Sequence, residues 1–164
     1  MGLTPTWSRA QMESPAPVCA ITDASLPSSF ASWITKVDLV SATSAADLSR
    51  APILPGLAVT VALHATREIS YPTQPEKPGG SVAHGGLLAL TIAQAGTYRI
   101  ALSSGAWIDL IEDGKAQAST NHGHGPPCST IRKVVDFSLK PGLYTLEVSA
   151  NASPEIGVLV TKAP

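Results

Sequence analysis

The sequence has no surplus of positive charge: its formal net charge is -1 at pH 7. A protein that neutralises phosphates needs a basic patch, so nucleic acid is not an expected partner. Charged residues of both signs together make up only 14%, whereas 44% of residues are apolar. That balance is too apolar for wholesale disorder and sufficient for a buried core. No apolar run reaches the ~20 residues of a membrane-spanning helix. Met1 to Pro17 contains Arg9 but no apolar h-region, so no signal peptide is visible. No helical pattern is long enough for a βαβ crossover, which disfavours α/β folds. P-loop and dinucleotide-binding glycine patterns are missing, as is a Gly-x-Ser-x-Gly nucleophile elbow. Aromatics make up only 5%, so each tryptophan carries more weight in the reading.

Cysteine is nearly absent too, with Cys19 and Cys128 the only pair. An even count in a chain rich in proline and glycine and poor in charge fits an exported domain with one disulfide. The other reading is two unpaired buried thiols in a cytosolic protein. The expectation taken forward is a Cys19–Cys128 bond in a periplasmic or extracellular protein whose signal is not part of this sequence.

At 164 residues the expectation is one domain. Residues 1 to about 17 read as a leader, and 1–50 as a mostly irregular N-terminal arm anchored by Trp33 and Cys19. Short helical turns are expected after Ser25-Leu26-Pro27 and over Ser44 to Leu48. From 51 to 164 the pattern alternates with period two. Leu57, Val59, Val61 and Leu63 share a face, followed by a loop containing Pro72, Pro75, Pro78 and Gly79-Gly80. Leu88, Leu90 and Ile92 align next, then Tyr98, Ile100 and Leu102. Ala106 to Glu112 leads into Asp113-Gly114, a type I′ hairpin signal, and a short edge strand from Lys115 to Ser119. Later strands run through Ile131, Val135 and Phe137, then Tyr144, Leu146 and Val148, then Ile156 to Val160. About eight short antiparallel strands with frequent turns predict an all-β, jelly-roll-like sandwich. The phrases Ala95-Gly96-Thr97-Tyr98-Arg99-Ile100 and Pro141-Gly142-Leu143-Tyr144-Thr145-Leu146 are alike. They predict two pseudo-equivalent hairpins, each with a tyrosine just after its turn. This rhythm resembles carbohydrate-binding modules and bacterial pre-peptidase C-terminal domains, which implies fold more than function.

Two groups of residues carry candidate chemistry. Asn121-His122-Gly123-His124-Gly125-Pro126-Pro127-Cys128 holds two of the four histidines. At i, i+2 on extended backbone both imidazoles point to one side, and neutral imidazole suits a divalent transition metal. Two histidines hold a metal weakly, so His84, flanked by Gly85-Gly86, is the candidate third ligand. The competing reading is a surface loop in which Gly123 and Gly125 serve positive-φ backbone. The His-x-His pair resembles that of cupin iron dioxygenases, yet no glutamate follows His124 at ligand spacing. The second group is Trp107 and Asp109, on one face of one strand. An indole that stacks on sugar C–H faces, beside a carboxylate that accepts hydroxyl protons, is a sugar-binding pair; the alternative is a core tryptophan.

Several stretches together resemble a family of small exported bacterial proteins, some of which carry the label homogentisate 1,2-dioxygenase. They are Pro75-Glu76-Lys77-Pro78-Gly79-Gly80, His84-Gly85-Gly86, Ser104-Gly105-Ala106-Trp107-Ile108-Asp109, His122-Gly123-His124-Gly125, Ile131-Arg132-Lys133 and Val135-Asp136-Phe137. The resemblance spans roughly residue 50 to the end. It implies an exported β-sandwich, and the label implies an iron site. Three functional expectations follow. The first is a non-enzymatic module binding a glycan or a protein partner through Trp107 and Asp109. The second is a metalloprotein using His84, His122 and His124. The third is an assembly subunit whose arm packs on a neighbour.

Overall fold

The computed structural model describes Gly2, Leu3, Cys19 and residues 23–164. The expected leader lies outside these residues, apart from Gly2 and Leu3. Twelve strands follow in chain order: β1 (Val37–Val40), β2 (Pro52–Ile53), β3 (Val59–Ala62), β4 (His64–Ala65), β5 (His84–Ile92) and β6 (Gly96–Leu102), then β7 (Trp107–Glu112), β8 (Lys115–Ala116), β9 (Asn121–Gly123), β10 (Lys133–Leu139), β11 (Gly142–Asn151) and β12 (Glu155–Lys162). They form two sheets. Sheet A runs β1-β3-β12-β6-β10-β9, and sheet B runs β2-β5-β11-β7-β8, with β4 also on β5.

Eight of these strands account for the alternating stretches of the sequence: β3, β5, β6, β7, β8, β10, β11 and β12. In that order the first, eighth, third and sixth lie side by side in sheet A. The second, seventh, fourth and fifth lie side by side in sheet B, the interleaving of a jelly roll. Pairings among the eight are antiparallel. Two short additions depart from the expected all-antiparallel pattern: β1 runs parallel to β3, and β2 parallel to β5. Part of the expected irregular arm is therefore sheet, because an open sheet edge leaves backbone groups that β1 satisfies.

The alternation places Leu88, Leu90 and Ile92 of β5 opposite Tyr98, Ile100 and Leu102 of β6. Val135 and Phe137 of β10, Tyr144, Leu146 and Val148 of β11, and Ile156, Val158 and Val160 of β12 complete one buried cluster between the sheets. Asp113 and Gly114 both have positive φ, 49° and 75°, as a type I′ turn requires. The two like phrases perform the same task in different sheets. Tyr98 Oη donates to the Gln94 carbonyl at 2.7 Å, and Tyr144 Oη to the Lys140 carbonyl at 2.9 Å. Each buried tyrosine thus closes its own turn with the carbonyl four residues upstream.

Ile131 is an exception to the expected face. It precedes β10 and packs outside sheet A in a second cluster with Phe30, Trp33, Ala58, Ala101 and Leu159. Phe30 and Trp33 come from a 3-10 helix, Ser28–Ile34, lying on β12. Gly157 permits that contact: a Cβ there would stand 3.1 Å from Trp33 Cη2 and 3.0 Å from Lys36 Cε. Trp33 is fully buried, and its Nε1 donates to Thr130 Oγ1 at 2.8 Å. Asp23 accepts from both the Thr130 hydroxyl (2.6 Å) and the Thr130 amide (2.9 Å). The Cys19–Cys128 disulfide is formed and adds a covalent tie between the same two stretches.

Candidate functional site

β7 places Ile108 and Leu110 in the core and turns Trp107 and Asp109 to the outer side of sheet B, as period-two alternation requires. The two expected sugar-site residues bond to each other: Trp107 Nε1 donates to Asp109 Oδ1 at 3.1 Å. The other carboxylate oxygen, Oδ2, accepts the Glu76 amide at 3.3 Å. Glu76 belongs to the proline-rich segment 70–82, which folds over this face instead of standing away from it. Tyr71 Oη donates to the Val148 carbonyl at 2.7 Å, and Ser149 Oγ to the Lys77 carbonyl at 2.9 Å.

Beside Trp107, a cleft of about 540 Å³ opens where the β7–β8 edge of sheet B meets the β9–β10 edge of sheet A. Ile108, Val135 and Phe137 form its apolar lining, and Trp107 is part of its wall. Asp109, Gln117, Ser119, His122 and Lys133 supply polar groups. Two ammonium groups converge on the indole: Lys77 Nζ lies 4.7 Å and Lys133 Nζ 5.1 Å from the ring centroid. Lys133 also donates to the Ala106 carbonyl at 2.9 Å. Burial first, and the nearby Lys77 charge second, hold its ammonium below the ordinary lysine range. The lysines are the members of this site that sequence reasoning missed. They lie far from Trp107 in the chain and carry no local signal.

A second missed group is Glu147. Its alternation class, with Leu143 and Thr145, marks it as an outward residue, yet it is fully buried. It sits in register beside Asp109 on β7 and Leu87 on β5, under the 70–82 segment. Oε1 accepts the Thr73 amide at 3.2 Å, and Oε2 is buried with no hydrogen-bond partner among the described residues. Burial, and then the Asp109 charge, push this carboxyl up to about 7 against the lowering effect of the Thr73 amide. Partial burial first, and then the Glu147 and Asp109 charges, push the Tyr71 hydroxyl up to about 12.

The three histidines expected to share a metal are not brought together. His84 opens β5 in sheet B, paired with Ala65 of β4 and Asn151 of β11. His122 belongs to β9, the terminal strand of sheet A, and is exposed, as is His124. β5 and β9 lie toward opposite edges of the sandwich, so His84 cannot complete a site with the other two. Among the described residues no three His, Cys, Asp or Glu side chains group closely enough to hold a metal ion. Cys128 is committed to its disulfide and is no alternative ligand. The glycines of this loop also have another task than expected. Neither Gly123 nor Gly125 has positive φ; the left-handed residue is Cys128, at φ 60°. Gly125 lets the backbone approach Ile131, whose carbonyl oxygen a Cβ would strike. The loop lines a shallower depression of about 290 Å³ with Phe30, Arg99 and Asp136. There Arg99 is spent on a two-pronged ion pair with Asp136, at 2.9 and 3.0 Å.

No helix among the described residues is long and apolar enough to cross a membrane. Compared with known proteins, the chain matches no family model and no curated sequence.

Proposed function

We propose that this protein is an exported, non-enzymatic binding module that takes a saccharide in the cleft beside Trp107. One observation carries the reading: an indole stands in the wall of a cleft with an apolar floor and a polar rim. Ligand sites are concave, mostly apolar and furnished with a few convergent polar groups. An indole suits the C–H face of a sugar, while Gln117, Ser119 and His122 offer donors and acceptors to its hydroxyls. The disulfide fits an oxidising compartment, periplasmic or extracellular, where such a ligand is met.

Isothermal titration of the parent and of Trp107→Ala with a panel of oligosaccharides tests the reading. The parent binds at least one of them. Trp107 is only half-buried, so the variant retains the parent's near-UV dichroism and a cooperative melt but loses binding. A folded variant with unchanged affinity, or a parent that binds no saccharide, overturns the proposal.

A further inference from the structure

We propose that the ligand of this cleft is an acidic saccharide, whose carboxylate or sulfate is received by Lys77 and Lys133 while its ring stands against Trp107. The inference rests on the saccharide reading of the cleft and adds the charge of the ligand.

The first ground is convergence. Two ammonium groups from distant parts of the chain approach one indole, at 4.7 and 5.1 Å. Like charges repel, so this placement sets mutual repulsion against the attraction of the ring quadrupole. An anion received by both ammonium groups relieves that repulsion. The second ground is the missing counter-charge. Among the described residues the ion pairs within 4.0 Å are His64–Glu68 and Arg99–Asp136, and neither lysine takes part. Of the acids close at hand, Asp109 is engaged elsewhere, and the exposed Glu76 carboxylate in the cleft wall lies beyond 4.0 Å of either ammonium group. Asp109 already accepts the Trp107 indole N–H with one oxygen and the Glu76 amide with the other. Asp109 is therefore a brace for the tryptophan and the covering segment, and the lysines are left for a ligand.

The third ground is anchoring. Lys133 gives one of its three N–H donors to the Ala106 carbonyl, which fixes the ammonium and leaves two donors for a ligand. Lys77 has an exposed side chain on a pinned backbone, since its carbonyl accepts from Ser149 Oγ. One ammonium is thus fixed at the cleft and the other swings from a fixed base. Lysine is a compact point charge, so the pair reads negative charge and does not by itself distinguish carboxylate from sulfate.

The test compares ligands of one size at about pH 7, where a uronate is ionised. They are trigalacturonate, its methyl ester, a sulfated galactotriose and neutral galactotriose, titrated into the parent, Lys77→Met and Lys133→Met. The expected result is that the parent prefers at least one acidic ligand over its neutral counterpart by about tenfold or more, a preference that weakens with added salt. Which acidic ligand wins identifies the anion. Lys77→Met, at an exposed position, folds as the parent does and loses most of the preference. Lys133→Arg, which keeps the charge, guards against a Lys133→Met variant that fails to fold. Equal binding of neutral and acidic saccharides overturns the inference and leaves the saccharide reading standing. Binding of neither kind overturns both. A preference for acidic ligands that survives intact in folded Lys77→Met overturns the role assigned to the lysine pair.

Discussion

The outer faces of the two sheets are both covered, but by opposite chemistries. Over sheet A lies the Ser28–Ile34 helix, which presents Phe30 and Trp33 to Ala101, Leu159 and Ile131. Its polar contacts form a closed chain, from Trp33 Nε1 to Thr130 to Asp23. Over sheet B lies the 70–82 segment, held by Tyr71, Thr73, Glu76 and Lys77 to groups that include two carboxylates in register. One of these carboxylates keeps a buried oxygen without a hydrogen-bond partner among the described residues. The apolar cover stabilises the sandwich and carries no idle chemistry. The polar cover braces the candidate site and brings a titratable group under tension. With the proposed binding cleft on sheet B, stability and function would be divided between the two faces.

The largest effects should come from the cover of sheet A. Cys19→Ser with Cys128→Ser opens a loop with a sequence separation of 109, for which chain entropy gives an upper value of about 4–5 kcal/mol. Urea unfolding of the parent and the double variant measures the loss, and thiol titration of the denatured, unreduced parent should find no free thiol. Two free thiols, or an unchanged unfolding midpoint, would show that the tie contributes nothing. Trp33→Ala removes a fully buried indole and the donor to Thr130 Oγ1, at a cost of about 3–5 kcal/mol. Saccharide binding should survive in both variants while they remain folded; its loss would break the division between the faces.

The cover of sheet B should respond to pH instead. Glu147 holds its proton more tightly when folded, up to about 7, than at its ordinary value of 4.5. Between these values the folded state binds more protons than the unfolded chain, so stability falls as pH rises. The contribution is fully present below about 4.5, declines from there, and levels off above about 7, by ~3 kcal/mol in all. Glu147→Gln keeps an acceptor for the Thr73 amide and cannot ionise. It should flatten the slope across this window and be the more stable protein on the alkaline side. Urea unfolding across a pH series decides, and a slope unchanged in the variant would assign the pH dependence to another group.

The smallest effects concern the device that both sheets share. Tyr98→Phe and Tyr144→Phe should each cost about 1 kcal/mol, the net value of a hydrogen bond to a buried hydroxyl. Tyr144 should cost slightly more, because its hydroxyl also accepts the Lys140 amide at 3.1 Å. Thermal melts of the two variants side by side would detect an imbalance. A large difference in the other direction would mean that the two turns are not equivalent.

The sequence by itself determined the eight strands of the sandwich and most of the residues that face its core. Period-two alternation sets the faces through Leu88, Leu90 and Ile92, and through Tyr144, Leu146 and Val148, because successive side chains of a strand must point to opposite sides. It also determined the Asp113-Gly114 turn, where backbone chemistry is local, and the shared side of Trp107 and Asp109. The cysteine pair was legible because only one partner existed. Other features depended on what covers what, which no local pattern records. Alternation assigns Glu147 to an outer face, but whether that face meets water or the 70–82 segment depends on a loop some 70 residues away. Ile131 continues the spacing of β10 on paper, yet it lies before the strand begins, where Trp33 recruits it. The histidines share a residue type suited to metal, but strand order puts β5 and β9 toward opposite edges. Only the tertiary structure decided that Lys77 and Lys133 would meet at one indole, since side-chain convergence across loop and strand is set by how sheets and covers pack, not by spacing along the chain.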